Sequence, residues 1–254
     1  MLTAITREVS RSLADCELTW LQREPIDFEK ARAQHRQYEK CLEALGVQVI
    51  SLPALESYPD AVFVEDPAIV LDEIAVITTM GCESRRGERE SLAEALAAFR
   101  PLIRMRNPAK LEGGDVMRIG KDLFVGLSAR TDPAGVQQLA EELNPYGYRV
   151  TAVELRDCLH LKSACSFIGD GCLLINRAYL DTEPLRNYRF VDVAPDEPAA
   201  ANALLVDRTV VMPSAFPATA NLLQKAGFRV REVDVTELLK AESGVTCSSL
   251  LFDF

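Results

Sequence analysis

The chain has 254 residues, 48% of them hydrophobic and 26% charged, a composition typical of a globular domain with a full core. Its formal net charge of −10 disfavours nucleic acid as a partner, because phosphate binding needs a basic face. No apolar run approaches the roughly 20 residues that a membrane span requires. The N-terminus shows no basic and apolar leader, so we expect a cytoplasmic protein.

Helices and strands are predicted to alternate along most of the chain. Residues 27–45 carry apolar side chains at helical spacing and stop at Gly46, as a helix does. Further helices are expected at 88–99, 133–143 and 217–226, whereas residues 178–190 are predicted to be mostly loop. A short strand should follow each of the four helices, at residues 47–52, 102–106, 149–154 and 229–233.

Four stretches share a β-hairpin layout, in which a polar strand start and an apolar strand precede an Asp- and Gly-rich turn and a second strand. They begin at Val62, Leu111, His160 and Ala201, and residues 246–252 form a truncated fifth copy. The copies recur about every 42 to 48 residues, a period typical of repeated supersecondary units.

The repeating unit is therefore ββαβ, and five such units can bury their apolar faces by packing round a common axis. We predict an α/β fold consisting of one catalytic domain, residues 1–254, with five blades around a central site. The last strand should pair near residues 2–5 and close the ring.

The polar residues that open the blades should face the axis and converge, namely Glu65, Asp66, Glu112, His160 and Cys247. A cysteine beside an imidazole is a nucleophile with a proton carrier. Neighbouring carboxylates raise the pKa of a thiol unless a positive charge arrives. The group therefore suits a cationic guanidinium substrate better than an ester or amide, whose cleavage needs oxyanion donors.

The remaining cysteines and histidines predict no disulfide framework and no zinc site. The seven cysteines are odd in number and contain no C-x-x-C pair, and two histidines cannot make a three-histidine metal site. We expect Cys158, Cys165 and Cys172 to be core residues and His35 to be exposed on a polar helix face. Asn202 occupies a repeat position, but no chemical role can be assigned to it.

From about Arg11 to Cys247, the sequence resembles the dimethylarginine dimethylaminohydrolase family. The family belongs to the guanidine-modifying (pentein) superfamily, whose fold is a five-bladed α/β propeller. The resemblance rests on six motifs: Glu65-Asp66-Pro67, Glu83-Ser-Arg-Arg-Gly87, Glu112-Gly-Gly-Asp115, Gly126-Leu-Ser-Ala-Arg-Thr131, Leu159-His-Leu-Lys-Ser163 and Val245-Thr-Cys247.

The resemblance implies a hydrolase that acts on C–N bonds other than peptide bonds. Cys247 would attack the guanidinium carbon of Nω-methylated L-arginine, and dimethylamine or methylamine would leave a covalent thiouronium. His160 would handle protons, while Glu112 would hold the histidine and contact the guanidinium. The product would be L-citrulline, and no metal or organic cofactor would take part.

The same resemblance implies how the substrate is bound. Asp66 would bond the guanidinium nitrogens, with Glu65 in the adjoining shell. Arg85 and Arg130 would hold the α-carboxylate of this cationic small molecule.

Other contacts implied by the resemblance leave the substrate preference open. Asp60 and the backbone near Leu18, in a lid segment at residues 14–20, would take the α-amino group. Ala241 stands where the family often has a branched apolar residue shaping the pocket. Dimethylated, monomethylated and other alkylguanidines all remain candidates.

Two alternative functional classes share this kind of site or fold. Another guanidine-modifying enzyme, a deiminase or an amidinotransferase, would use a similar site, but arginine deiminases carry a large helical insertion that this chain lacks. Agmatine deiminases have no need of carboxylate-binding arginines such as Arg85 and Arg130. A non-catalytic five-bladed binding protein, such as a ribosome anti-association factor, has no reason to keep a cysteine, a histidine and two acids in register.

The sequence leaves the oligomeric state open, with a homodimer as one option.

Overall fold

Five three-stranded sheets make up the protein, and the computed structural model describes residues 1–254. The strands are β1 (Leu2–Arg7), β2 (Gln48–Leu52), β3 (Ala68–Val70), β4 (Ala75–Ile77), β5 (Leu102–Arg104), β6 (Val116–Ile119), β7 (Asp122–Leu127), β8 (Arg149–Glu154), β9 (Cys165–Gly169), β10 (Cys172–Ile175), β11 (Arg189–Asp192), β12 (Leu204–Val206), β13 (Thr209–Pro213), β14 (Arg229–Val233) and β15 (Leu250–Asp253). The helices are α1 (Phe28–Ala44), α2 (Glu88–Leu96), α3 (Pro133–Leu143), α4 (Leu161–Ala164), α5 (Pro217–Lys225) and α6 (Thr236–Leu239).

Each sheet is one ββαβ unit or its equivalent. In the unit β3–β4–β5, the first two strands pair antiparallel, and the third returns parallel to the second after α2. The units β6–β7–β8 and β12–β13–β14 repeat this order with α3 and α5. In β9–β10–β11 the crossover contains only the short 3-10 turns Arg177–Tyr179 and Glu183–Leu185, in keeping with the loop predicted there.

The first blade is assembled from both ends of the chain. Strand β15 pairs antiparallel with β1, so that Leu2 lies opposite Asp253 and Ile5 opposite Leu250. Strand β2, which follows α1, pairs with the other edge of β1 in parallel. The predicted pairing of the closing strand with the N-terminal strand is confirmed. It leaves β1 without a free edge, which protects the sheet from pairing with other chains.

Capping residues define the helix ends that the sequence predicts best. The side chain of Asp132 accepts the N–H of Gly135, and Pro133 takes the first position of α3. Asp27 caps α1 in the same way, and Gly46 follows the helix with a left-handed φ of 85°. Helix α2 ends three residues before its predicted end at residue 99, because the N–H groups of Phe99 and Arg100 both turn back to the carbonyl of Leu96.

The core is divided among clusters that lie in and between blades, as in repeat architectures. His35, predicted to be exposed, is instead buried with 2% of its surface accessible. It shares a helix face with Ala31, Tyr38 and Leu42, all of them fully buried, because residues spaced by three and four lie together on a helix. The prediction for this histidine was wrong because it considered only the polarity of the side chain. The apolar residues spaced by three and four around His35 show that it lies on the buried face of the helix.

Two of the three cysteines predicted to be core residues, Cys165 and Cys172, are buried. Cys158 is only half-buried, which corrects the third prediction. It lies in the loop before α4 and lines a surface cavity of about 310 Å³, so one side of the residue has no packing partner. None of the helices combines the length and the apolar character needed to cross a membrane.

Candidate active site

The residues that open the blades meet at one end of the ring. Asp66, His160 and Cys247 precede β3, α4 and β15, and all three line a single cavity. Glu112, just before β6, contacts the histidine in the same place. Glu65 lies beside them, where its backbone N–H donates to the carbonyl of Cys247 over 3.2 Å. The structure therefore brings together the five residues that the repeat spacing predicted to converge.

His160 and Glu112 form a buried hydrogen-bonded pair, with 2.8 Å between Nε2 and Oε2. Burial disfavours the imidazolium, but Asp115, Asp66 and Glu112 outweigh it and raise the pKa of His160 to about 9. Burial also opposes ionisation of Glu112, but the histidine and the nearby arginines outweigh it and lower the pKa of the carboxyl. At neutral pH the pair is an imidazolium and a carboxylate.

Backbone groups hold this pair in place. The N–H groups of Gly81 and Cys82 donate to Oε1 of Glu112 over 3.0 and 3.2 Å. Gly114 packs against the imidazole so closely that a Cβ there would lie 2.6 Å from Nδ1. A side chain at Gly114 would displace the ring, so this glycine is required by the close approach.

Cys247 is a neutral thiol in this environment. Burial raises the pKa of the thiol to about 12, and the carboxylates of Glu65 and Asp66 act in the same direction. The N–H of Gly244, which donates to Sγ over 3.4 Å, and the ammonium of Lys162 oppose this effect without cancelling it. An additional positive charge is needed before a thiolate can form near neutral pH.

Arg85 lies in the wall of the cavity, but most of its donors are used within the protein. Nη1 donates to Asp66 over 2.8 Å, and Nε and Nη2 donate to the two carboxylate oxygens of Glu88 over 3.0 and 2.9 Å. The second Nη2 hydrogen points to the carbonyl oxygens of Asp60 and Phe63. A guanidinium has five N–H donors, so one Nη1 hydrogen is left for a ligand. Most of the donors of Arg85 therefore serve its ion pairs with Glu88 and Asp66.

Arg130 and Asp60 also line the cavity, and each makes fewer hydrogen bonds and ion pairs within the protein than Arg85 does. Arg130 donates through Nη2 to Oγ1 of Thr19 over 3.2 Å, and its Nη1 lies 3.5 Å from Oε1 of Glu112. Asp60 accepts the N–H of Glu17 over 3.0 Å, and burial raises the pKa of its carboxyl.

Leu18 and Ala241 are the other two predicted substrate contacts, and of these only Ala241 lines the cavity. Leu18 packs its side chain against the core cluster that contains Tyr38 and Val211, and its neighbour Glu17 lines the cavity. Ala241 is buried in the cavity wall close to Cys247.

A lid segment closes the cavity. The carboxylate of Glu242 accepts three consecutive backbone N–H groups, from Thr19 over 2.8 Å and from Trp20 and Leu21. Glu242 has a φ of 54°, a left-handed conformation that is costly for a residue other than glycine and is often found at functional positions. The cavity volume is about 20 Å³, room for about one water molecule. A cavity of this size is too small for a molecule such as arginine unless the surrounding side chains or the lid move.

Three supporting residues were not singled out from the sequence. Asp115 accepts the N–H of Leu161 over 2.9 Å and the hydroxyl of Ser128 over 2.7 Å, which anchors the segment of His160. Lys162 and Thr246 donate to the two carboxylate oxygens of Glu65 over 2.5 and 2.8 Å. Asp115, Lys162 and Thr246 all lie within the six sequence motifs, but nothing in those motifs shows which partner each one contacts.

Asp66, Glu112 and His160 are also the one group whose ligand atoms are close enough to hold a metal ion, within 4.8 Å of one another. Their proximity has another explanation, because Glu112 is bonded to His160 and Asp66 to Arg85. These pairs already supply the counter-charges that buried ionised groups need.

Comparison with known proteins settles the family. The family model described as N,N dimethylarginine dimethylhydrolase, eukaryotic, matches residues 16–187. The N(G),N(G)-dimethylarginine dimethylaminohydrolase of Pseudomonas aeruginosa is 36% identical over 250 residues, which cover 98% of each chain. The chain belongs to the dimethylarginine dimethylaminohydrolase family.

Further comparisons agree with this assignment. The Streptomyces coelicolor member of the same name is 38% identical over 248 residues, covering 97% of this chain and 95% of that one. A solved structure from P. aeruginosa, a cysteine-to-serine mutant of the dimethylarginine dimethylaminohydrolase in complex with citrulline, matches with a TM-score of 0.94. Its sequence identity is 35%, and the match covers 98% of each chain. The predicted family and α/β fold of five ββαβ repeats are confirmed.

Proposed function

We propose that this member of the family hydrolyses Nω-methylated L-arginine to L-citrulline and dimethylamine or methylamine, with Cys247 as the nucleophile. The observation that carries the proposal is the cavity lined by Cys247, His160 and Asp66, with Glu112 bonded to the histidine behind the cavity wall. Support also comes from two relatives named as dimethylarginine dimethylaminohydrolases and from the citrulline complex of the P. aeruginosa protein.

The charges of the cavity match the two ends of such a substrate. The carboxylate of Asp66 lines the cavity next to the thiol, where a guanidinium would lie, with Glu112 behind His160 and Glu65 beside Cys247. Arg130, assisted by the remaining hydrogen of Arg85, would bind the α-carboxylate, because a guanidinium pairs well with a carboxylate. Asp60 and the backbone near Leu18 would take the α-amino group. Ala241 would shape the wall beside the nucleophile.

Substrate binding would itself activate the thiol. The pKa of Cys247 is raised to about 12, so the free enzyme holds very little thiolate. A guanidinium bound within a few ångströms offsets Glu65 and Asp66 and favours loss of the thiol proton to solvent. The thiolate then attacks the guanidinium carbon, and a C–S bond forms as a tetrahedral adduct.

His160 would act first as an acid and then as a base. Its imidazolium donates a proton to the methylated nitrogen, the C–N bond breaks, and the neutral amine leaves a thiouronium on Cys247. The neutral imidazole then takes a proton from the water that attacks the same carbon. When the C–S bond breaks, the hydroxyl proton returns to the sulfur, and citrulline and the thiol result. Glu112 stabilises the imidazolium in both half-reactions.

The proposal is tested by measuring citrulline and methylamines released from asymmetric dimethylarginine and monomethylarginine. The wild type should form both products, Cys247→Ser should form neither, and Cys172→Ser, at a thiol in β10 whose polar contact is the carbonyl of Asp170, should match the wild type. Release of ammonia from arginine, without methylamine from the methylated substrates, would instead show a deiminase. No reaction with any of these substrates would overturn the proposal.

A further inference from the structure

Asn202, at the repeat position before β12, is 7% exposed. Its side-chain amide forms hydrogen bonds with the turn that carries Cys247. Its Nδ2 donates to the hydroxyl of Thr246 over 2.9 Å, and its Oδ1 accepts the backbone N–H of Thr246 over 3.1 Å. The second Nδ2 hydrogen goes to the carbonyl of Lys162 over 3.0 Å. The amide thus bonds both the residue before Cys247 and a residue two positions after His160.

The chemistry of these partners requires an amide in one orientation. A backbone carbonyl such as that of Lys162 can only accept a hydrogen bond, and the N–H of Thr246 can only donate one. Both requirements together fix which end of the Asn202 amide carries the nitrogen. The Thr246 hydroxyl, which accepts from Asn202, is left to donate to Glu65 over 2.8 Å. A carboxylate or an aliphatic group at position 202 cannot satisfy this set.

Gly244 shows how tightly the amide fits into the cysteine turn. A Cβ at Gly244 would lie 2.2 Å from Oδ1 and 2.3 Å from Cγ of Asn202, so only glycine allows the amide to reach Thr246. The N–H of the same Gly244 donates to Sγ of Cys247 over 3.4 Å, a contact that lowers the pKa of the thiol. The position of Asn202 and the hydrogen bond to the sulfur therefore depend on one turn.

We propose that Asn202 is a positioning residue that sets the location of the nucleophile relative to the proton carrier. It acts through Thr246 and Gly244 on Cys247 and through Lys162 on the segment of His160, and it does not touch the substrate. The inference rests on the proposed function only in taking Cys247 as the nucleophile. Loss of the amide leaves the Thr246 N–H and the Lys162 carbonyl without these partners, which releases the turn and weakens the hydrogen bond to the sulfur.

The test compares Asn202→Ala and Asn202→Asp with Asn176→Ala as a matched control. Asn176 also makes two amide hydrogen bonds, to the carbonyl of Pro198 and from the N–H of Ala178, over 2.9 and 3.1 Å. Two properties are measured: kcat and KM with dimethylarginine, and the pH dependence of iodoacetamide alkylation at Cys247, read by mass spectrometry of its peptide.

We expect both Asn202 variants to lose about 10- to 100-fold in kcat with KM changed less than about threefold, because a small misplacement of a reacting group has effects of this size. Their alkylation rate at any given pH should be lower than that of the wild type, most in Asn202→Asp, whose carboxylate adds negative charge near the sulfur. Asn176→Ala should show neither change. Thr246→Val removes the hydroxyl and keeps the N–H, so it should give a smaller effect in the same direction and serves if the Asn202 variants do not fold.

A kcat within about twofold of the Asn176→Ala value, together with an unchanged alkylation profile, would overturn the inference. The alkylation measurement does not need a substrate. A wild type without activity on methylarginines would therefore count against the proposed function and leave the positioning role to be decided by the thiol titration.

Discussion

Nε2 of His160 lies 2.8 Å from Oε2 of Glu112, although 48 residues separate the two along the chain. Together with the charges of Asp115 and Asp66, the contact keeps the buried imidazole protonated, since the fully buried carboxylate faces it directly. Both residues begin their blades, so the ring itself creates the pair. The consequence is a histidine that is ready to donate a proton at neutral pH, as departure of an amine requires.

Replacement of Glu112 by glutamine should lower the pKa of His160 from about 9 towards its ordinary value, because Gln cannot supply the counter-charge. We expect kcat to fall by about 100-fold or more, as the acid for the leaving amine is lost. Imidazole titration by NMR checks the pKa, and the chain is convenient for this because it has only two histidines. His35, which lies in α1 and does not line the cavity, serves as the internal control. An unchanged titration of His160 in Glu112→Gln would rule out this role of the carboxylate.

The free energy of unfolding should depend on pH through His160. Its folded pKa of about 9 lies above the ordinary histidine value of 6.5, so the stabilisation is fully present below pH 6.5 and is lost as the pH rises through 9. The comparison to make is urea denaturation of the wild type and His160→Gln at pH 6 and pH 9.5. The wild type should lose more stability than the variant between these two values. Equal losses in both proteins would show that the imidazole titrates alike in the folded and unfolded chains.

The lid can be followed through Trp20, the single tryptophan of the chain, which is half-exposed in the closed segment. Glu242→Ala removes the acceptor of three lid N–H groups, so the lid should open more often and KM should rise by about tenfold. Tryptophan anisotropy should fall in the variant and should recover in part when citrulline is added. Glu183→Ala, which removes an exposed carboxylate beside Arg186, is the control. Identical anisotropy in all three proteins would show that Glu242 does not restrain the lid.

Activation of the thiol by its substrate can be separated from turnover. Because the thiol pKa is about 12, alkylation of Cys247 by iodoacetamide should be slow at pH 7. Millimolar guanidinium chloride should accelerate it, since the cation can lie beside Glu65, Asp66 and the sulfur. Sodium chloride at the same concentration controls for ionic strength, and Cys247→Ser gives the background from the other six cysteines. If guanidinium has no effect at any pH, substrate-assisted activation must be abandoned, although the nucleophile could stand.

Much of the architecture follows from local patterns. Asp132, Pro133 and Gly46 mark helix ends through capping and left-handed backbone, interactions that involve residues only a few positions apart. The strands β8 and β14 have the bounds that their alternating and apolar patterns predict. The recurrence of the hairpins also places Glu112, His160 and Cys247 at equivalent positions, and their convergence at one cavity end is a direct result of the ring.

The partners of individual side chains could not be predicted in the same way. The sequence motif suggests that Arg85 binds a substrate carboxylate. In the structure, Asp66, Glu88 and nearby backbone carbonyls together occupy four of its five N–H donors. The sequence reveals that Asn202 occupies a repeat position, but not that its amide bonds the turn of Cys247. It reveals that His35 is polar, but not that neighbouring side chains bury it.

The sequence by itself therefore determined the number of blades, the order of their strands and the residues that open them, because periodicity and capping are local properties of the chain. Only the tertiary structure decided which donor meets which acceptor at the centre. These partners lie tens of residues apart, and their pairing depends on side-chain packing, on the burial of charge and on close approaches such as those at Gly114 and Gly244. A difference of a few ångströms in these approaches separates a substrate-binding group from one that orients its neighbour.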